Sequence, residues 1–90
     1  MEVKDVLDDL GIKASIQKST GNAYVIDLSD SDDFGRYYSL LEKADGVEEL
    51  SESSLLTLHN ASLAYVYNDY QLTLIADYDQ DTYKLVITKI

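Results

Sequence analysis

Apolar residues recur along this chain first with a helical period and later with a strand period. Val3, Val6, Leu7 and Leu10 fall at i, i+3, i+4 and i+7, with Glu2, Asp5, Asp8 and Asp9 opposite them. This predicts a helix over 2–10, closed by Gly11. Strict alternation follows: Ile12, Ala14 and Ile16, then Tyr24, Ile26 and Leu28. Two short strands are expected over 12–18 and 23–29, joined by a three-residue loop, Thr20-Gly21-Asn22, with the glycine left-handed. In that register Ile16 faces Ile26 and Ala14 faces Leu28. Asp30-Ser31-Asp32-Asp33 reads as a helix start, where side-chain oxygens accept free backbone N–H groups and acids suit the positive helix end. Phe34, Tyr37, Tyr38, Leu41 and Ala44 give the second helix its stripe, and Gly46 ends it. Residues 47–54 fit either a helical turn or an irregular connection.

From Leu55 onward the pattern is that of a meander. With Asn60-Ala61 as a turn, Leu58 faces Leu63 and Leu56 faces Tyr65. Asn68-Asp69 is a two-residue turn of the type that needs positive φ, and sets Tyr67 against Tyr70, Tyr65 against Leu72 and Leu63 against Leu74. Tyr78-Asp79-Gln80-Asp81 sets Ala76 against Tyr83, Leu74 against Leu85 and Leu72 against Ile87. Three turns placed independently put one apolar set on one face, which a slip at any of them would scramble. The expectation is one α+β domain over 1–90: two helices packed on one face of a mainly antiparallel sheet, in the order α-β-β-α-β-β-β-β. The other face, with Ala64, Val66, Ile75 and Val86, is mild enough to be solvated or thinly covered.

Charge changes the picture. Seventeen Asp and Glu stand against seven Lys and Arg, a formal net charge of −10 on 90 residues. Such a chain repels phosphates, so direct binding to nucleic acid or to an anionic membrane surface is disfavoured. No apolar run approaches the roughly 18–20 residues of a membrane span, and no signal peptide opens the chain, so a cytoplasmic protein is expected. The absence of cysteine from the sequence excludes a disulfide framework, a thiolate zinc site and a cysteine nucleophile.

Candidate chemistry is thin. Asp77-Tyr78-Asp79-Gln80-Asp81 has the acidic spacing of half a calcium loop, but Thr82 stands where that loop needs Gly, and Thr88 where it needs its closing Glu. His59, the one histidine, lies in an expected turn without a nucleophile beside it. The four glycines are scattered and form no phosphate loop. Neither an enzyme nor a cofactor is expected. What remains is acids and tyrosines. Eight tyrosines accompany one Phe and no Trp, and tyrosine beside acid at a loop tip suits an interface because it offers rigid apolar area with a polar end. The candidate partner-binding residues are Asp30, Asp32 and Asp33 at the second helix start, Asp69 and Tyr70 at one meander turn, and Asp77, Tyr78, Asp79 and Asp81 at the next.

In size, charge and tyrosine content the chain resembles the small acidic inhibitors that phages encode, including anti-CRISPR and DNA-mimic proteins, and also nuclease immunity proteins. That resemblance implies a non-catalytic inhibitor of a basic nucleic-acid-handling protein, such as a CRISPR effector, restriction enzyme or nuclease, whose carboxylates occupy the place of phosphates. The competing expectation is a structural or adaptor module, monomeric or homodimeric, that binds through a sheet face or edge.

Overall fold

The computed structural model describes residues 2–90. Helix α1 (Val3–Leu10) starts where the Asp5 carboxylate accepts the Glu2 N–H at 2.9 Å. It ends in a paired terminal motif: Gly11, at φ 74°, donates to the Asp8 carbonyl, and Ile12 donates to the Leu7 carbonyl at 2.8 Å. The second bond turns Ile12 into the core. The strand expected over 12–18 therefore does not form; residues 12–17 run irregularly, with Ala14 and Ile16 packed at the core margin.

Strand β1 is only Lys18–Thr20, paired with β2 (Ala23–Leu28) so that Thr20 faces Ala23. The connecting turn is Gly21-Asn22, one residue shorter than the sequence suggests, and the register shifts by one. Ile16 is not opposite Ile26, nor Ala14 opposite Leu28. The cause is Asn22: its carbonyl accepts the Lys89 N–H at 3.0 Å and its side-chain amide donates to the Lys89 carbonyl at 2.8 Å, fixing the turn against the last strand. Gly21, at φ 59°, supplies the left-handed step.

Helix α2 (Ser31–Lys43) is capped by Asp30, whose carboxylate accepts the Asp33 N–H at 2.9 Å, while Asp33 accepts the Ser29 N–H at 3.3 Å. Phe34, Tyr37 and Leu41 are buried, and Leu40 and Ala44 pack beside them. Tyr38, expected on this stripe, lies exposed on its flank. Residues 47–54 hold strand β3 (Glu48–Glu49) and a single 3-10 turn (Ser51–Ser53). Strands β4 (Leu55–Leu56), β5 (Asn60–Tyr67), β6 (Tyr70–Asp77) and β7 (Thr82–Lys89) complete the chain.

The sheet order is β1-β2-β7-β6-β5, with β3 and β4 both along the outer edge of β5, and every pair is antiparallel. The meander registers match the sequence reading: Tyr67 faces Tyr70, Tyr65 faces Leu72, Leu63 faces Leu74, Ala76 faces Tyr83, Leu74 faces Leu85 and Leu72 faces Ile87. Asn68 and Asp81 take positive φ, 53° and 54°, but Asp69 does not, so the 68–69 turn keeps the expected register without the second left-handed residue of the expected type I′ turn.

The expected Leu55–Leu58 pairing is overturned. Leu55 faces Ser62 and Leu56 faces Ala61, whereas Leu58 faces nothing and is 92% exposed. Two interactions cause this. The Thr57 hydroxyl accepts the N–H groups of His59 and Asn60 at 3.1 and 3.0 Å, closing the turn at 57–60 before Leu58 can enter a ladder. The positions opposite Ala64 and Tyr65 are already occupied. Glu49 faces Tyr65, Leu50 donates to the Ala64 carbonyl at 2.8 Å, and the Ser54 hydroxyl accepts the Ala64 N–H at 3.1 Å.

Both helices cover the same sheet face. Val6, Leu7 and Leu10 of α1 and the stripe of α2 close over Ile26, Leu72, Leu74, Leu85 and Ile87, all of them buried. Among the described residues, no helix covers the opposite face, where only Ala64 is fully buried.

Candidate functional site

The pairing of β2 with β7, Leu28 opposite Tyr83, brings the start of α2 beside the 78–81 turn. Tyr83 holds the two segments together. It is buried, with its ring centroid 5.8 Å from that of Phe34 and 6.2 Å from that of Tyr78. Desolvation, and then the Asp81 carboxylate, push this phenol above its ordinary pKa.

Asp30, Asp32, Asp33, Asp77, Tyr78, Asp79 and Asp81 therefore share one end of the molecule. The backbone geometry of each acidic segment is fixed locally. Asp30 and Asp33 cap α2, and Asp33 also pairs with Arg36. Asp77 accepts the Gln80 N–H at 3.1 Å and closes the turn. Tyr78 donates its N–H to the His59 carbonyl at 2.9 Å, and His59 Nδ1 lies 3.0 Å from the Asp79 carboxylate. Sequence reasoning left His59 as an isolated turn residue; its contact with Asp79 depends on the β5–β6 pairing and on the turn that Thr57 closes. Six carboxylates against one guanidinium give this end a formal charge of −5 with His59 neutral.

Asp69 and Tyr70 do not belong to it. They sit at the other end of β6, about 25 Å away for eight strand residues. Asp69 accepts the Ile90 N–H at 2.7 Å through its carbonyl, and Tyr70 is only 3% exposed, packed in the core rather than displayed at the tip. That end carries a groove of about 460 Å³ between the ends of both helices and Tyr67, lined by Leu10, Leu40, Lys43, Ala44 and Asp45, with the Tyr67 hydroxyl donating to Asp9 at 3.2 Å.

A second acidic arrangement escaped the sequence. The Tyr65 hydroxyl emerges from the core to donate to Glu42 at 2.7 Å, and the neighbouring Glu42 carboxyl holds that of Glu49 above its usual range. Nothing local links residues 42, 49 and 65; the β3–β5 pairing does. Among the described residues, no group of three or more His, Asp or Glu gathers as a metal site, and no helix is long and apolar enough to cross a membrane. The arrangement at the acidic end suits recognition of cationic groups by charge-assisted hydrogen bonds. Comparison with protein-family models, with curated proteins and with solved structures gives no match for this chain.

Proposed function

We propose that this protein is a small, non-catalytic inhibitor that binds a basic nucleic-acid-handling protein and blocks its nucleic-acid site by phosphate mimicry, as phage anti-defence proteins do. The observation that carries the reading is the union of two acidic segments, 30–33 and 77–81, on one end of the molecule through β2–β7 pairing and the packing of the Tyr83 ring between Phe34 and Tyr78. Carboxylates fixed by caps and turns replace phosphates as partners of Arg and Lys, and the surplus negative charge speeds encounter.

The test is capture of a partner from lysate by the tagged protein, washed at rising salt and challenged with DNA or RNA. The proposal expects a nucleic-acid enzyme that is released by salt, because screening shortens the reach of charge from about 10 Å at 0.1 M to about 3 Å at 1 M. It also expects displacement by nucleic acid, and loss of capture by Asp79→Lys with Asp81→Lys. A partner indifferent to salt, to nucleic acid and to these substitutions overturns it.

One observation favours a second reading, an adaptor that binds through an edge. Leu55, Leu56 and Leu58 are 58%, 71% and 92% exposed within four residues, more apolar surface than solubility calls for. Capture abolished by Leu56→Asp or Leu58→Asp, and unmoved by salt, would select that reading.

A further inference from the structure

The groove at the end of the molecule remote from the acidic segments lies where both helices finish. Its volume of about 460 Å³ falls within the ~300–1,000 Å³ that small ligands occupy. Leu10 ends α1 and Lys43 ends α2, so the negative poles of both helix dipoles lie beside it. Asp9 and Asp45 line it as well, both exposed. The Tyr67 hydroxyl donates to Asp9 at 3.2 Å and holds that carboxylate in place, whereas the Asp45 carboxylate has no ion pair or hydrogen bond among the described residues. The Tyr67 ring is half-buried against Gly46, where a Cβ would come within 3.4 Å of it. Leu10, Leu40 and Ala44 supply the apolar lining.

We infer that this groove binds a small aliphatic cation, an alkylammonium or alkylguanidinium. Its stem lies on the apolar lining and its head meets the carboxylates of Asp9 and Asp45. Charge complementarity decides the class of ligand. Two carboxylates and two helix C-termini favour positive charge, and so does the face of an aromatic ring. Only Lys43 opposes it. That ammonium lines the same groove and, among the described residues, pairs with neither acid. It offsets one of the two formal negative charges and competes for the place of the incoming head group.

This inference does not rest on the inhibitor reading, because the groove and the acidic segments occupy opposite ends of β6. A net charge of −10 draws any cation loosely toward the molecule, so the experiment separates a site from that diffuse attraction. Two-dimensional amide spectra of the intact protein are followed at constant ionic strength through titrations with butylammonium, methylammonium and butyrate. Butylammonium should give saturable shifts at Leu10, Leu40, Ala44 and Gly46. Methylammonium lacks the stem and should bind severalfold more weakly, and butyrate should not saturate. Asp45→Ser should weaken butylammonium binding severalfold. Lys43→Gln should tighten it severalfold, because the resident competitor is gone. Both residues are exposed, so neither change threatens the fold. Shifts that never saturate overturn the inference, as do shifts of equal size at 30–33 and 77–81. So does methylammonium or butyrate binding as tightly as butylammonium, or a Lys43→Gln variant that binds the cation no better.

Discussion

The Tyr65 hydroxyl donates to the Glu42 carboxylate at 2.7 Å, joining the centre of β5 to the last turn of α2. Burial, and then the hydrogen bond and charge of Glu42, push this phenol far above its ordinary pKa. Tyr67 and Tyr83 are raised as well, first by desolvation and then by Asp9 and Asp81. In an alkaline absorbance titration these three of the eight tyrosines should ionise late, Tyr65 together with unfolding. Tyr65→Phe should remove the late, cooperative component and cost about 1 kcal/mol, since the exposed Glu42 regains water. A titration identical to that of free tyrosine would refute this.

Glu49 gives a pH dependence of defined sign. Its folded pKa lies above the usual 4.5, chiefly through the hydrogen bond with Glu42 and then through that group's negative charge. The folded state therefore holds this proton more tightly than the unfolded chain. The contribution is fully present below the unfolded carboxylate pKa and is lost as pH rises through the raised folded value. Glu49→Gln retains a donor at every pH. Its melting temperature should match the unaltered protein in acid and exceed it toward neutrality. Parallel melting curves across that window would show that the pair is not coupled.

Asp30 separates capping from charge. Asp30→Ala removes the oxygen that accepts the Asp33 N–H and should cost about 1 kcal/mol in denaturant unfolding. Asp30→Asn keeps the cap and removes the charge, so stability should be nearly retained. Any loss of partner binding by the Asn variant then reports charge alone.

Leucines tell the observed register from the one expected for 55–58. Leu74 is completely buried, and Leu74→Ala should cost about 2–5 kcal/mol. Leu58→Ala should change stability by less than about 0.5 kcal/mol, because its side chain touches little but water. A large loss at Leu58 would restore the pairing with Leu63.

Those leucines also show where local pattern stops being informative. Alternation read the meander correctly from Leu63 onward, because turn chemistry at Asn68-Asp69 and 78–81 agreed with a single buried face. At 55–58 the same alternation misled. It could not register that the Thr57 hydroxyl closes an earlier turn, or that Glu49, Leu50 and Ser54 already fill the edge of β5. The candidate surface divides in the same way. The acids capping α2 and closing the 78–81 turn were legible as residue types. Their union depends on Leu28 meeting Tyr83, a pairing remote in sequence, and Tyr70 was misplaced because an exposed turn beside it gave no sign of its burial.

The central position of β7 has a consequence for the order of events in folding. The β1–β2 hairpin and the β5–β6 hairpin flank residues 82–89 on opposite sides, and no strand of one pairs with a strand of the other. Until that segment arrives, the two parts of the sheet share no ladder, and β1–β2 is a two-stranded piece, marginal in water. A growing chain must wait for its distal strand before the sheet is continuous. The pairing of β2 with β7 spans most of the chain, and non-local pairing of this kind is the slow step in folding.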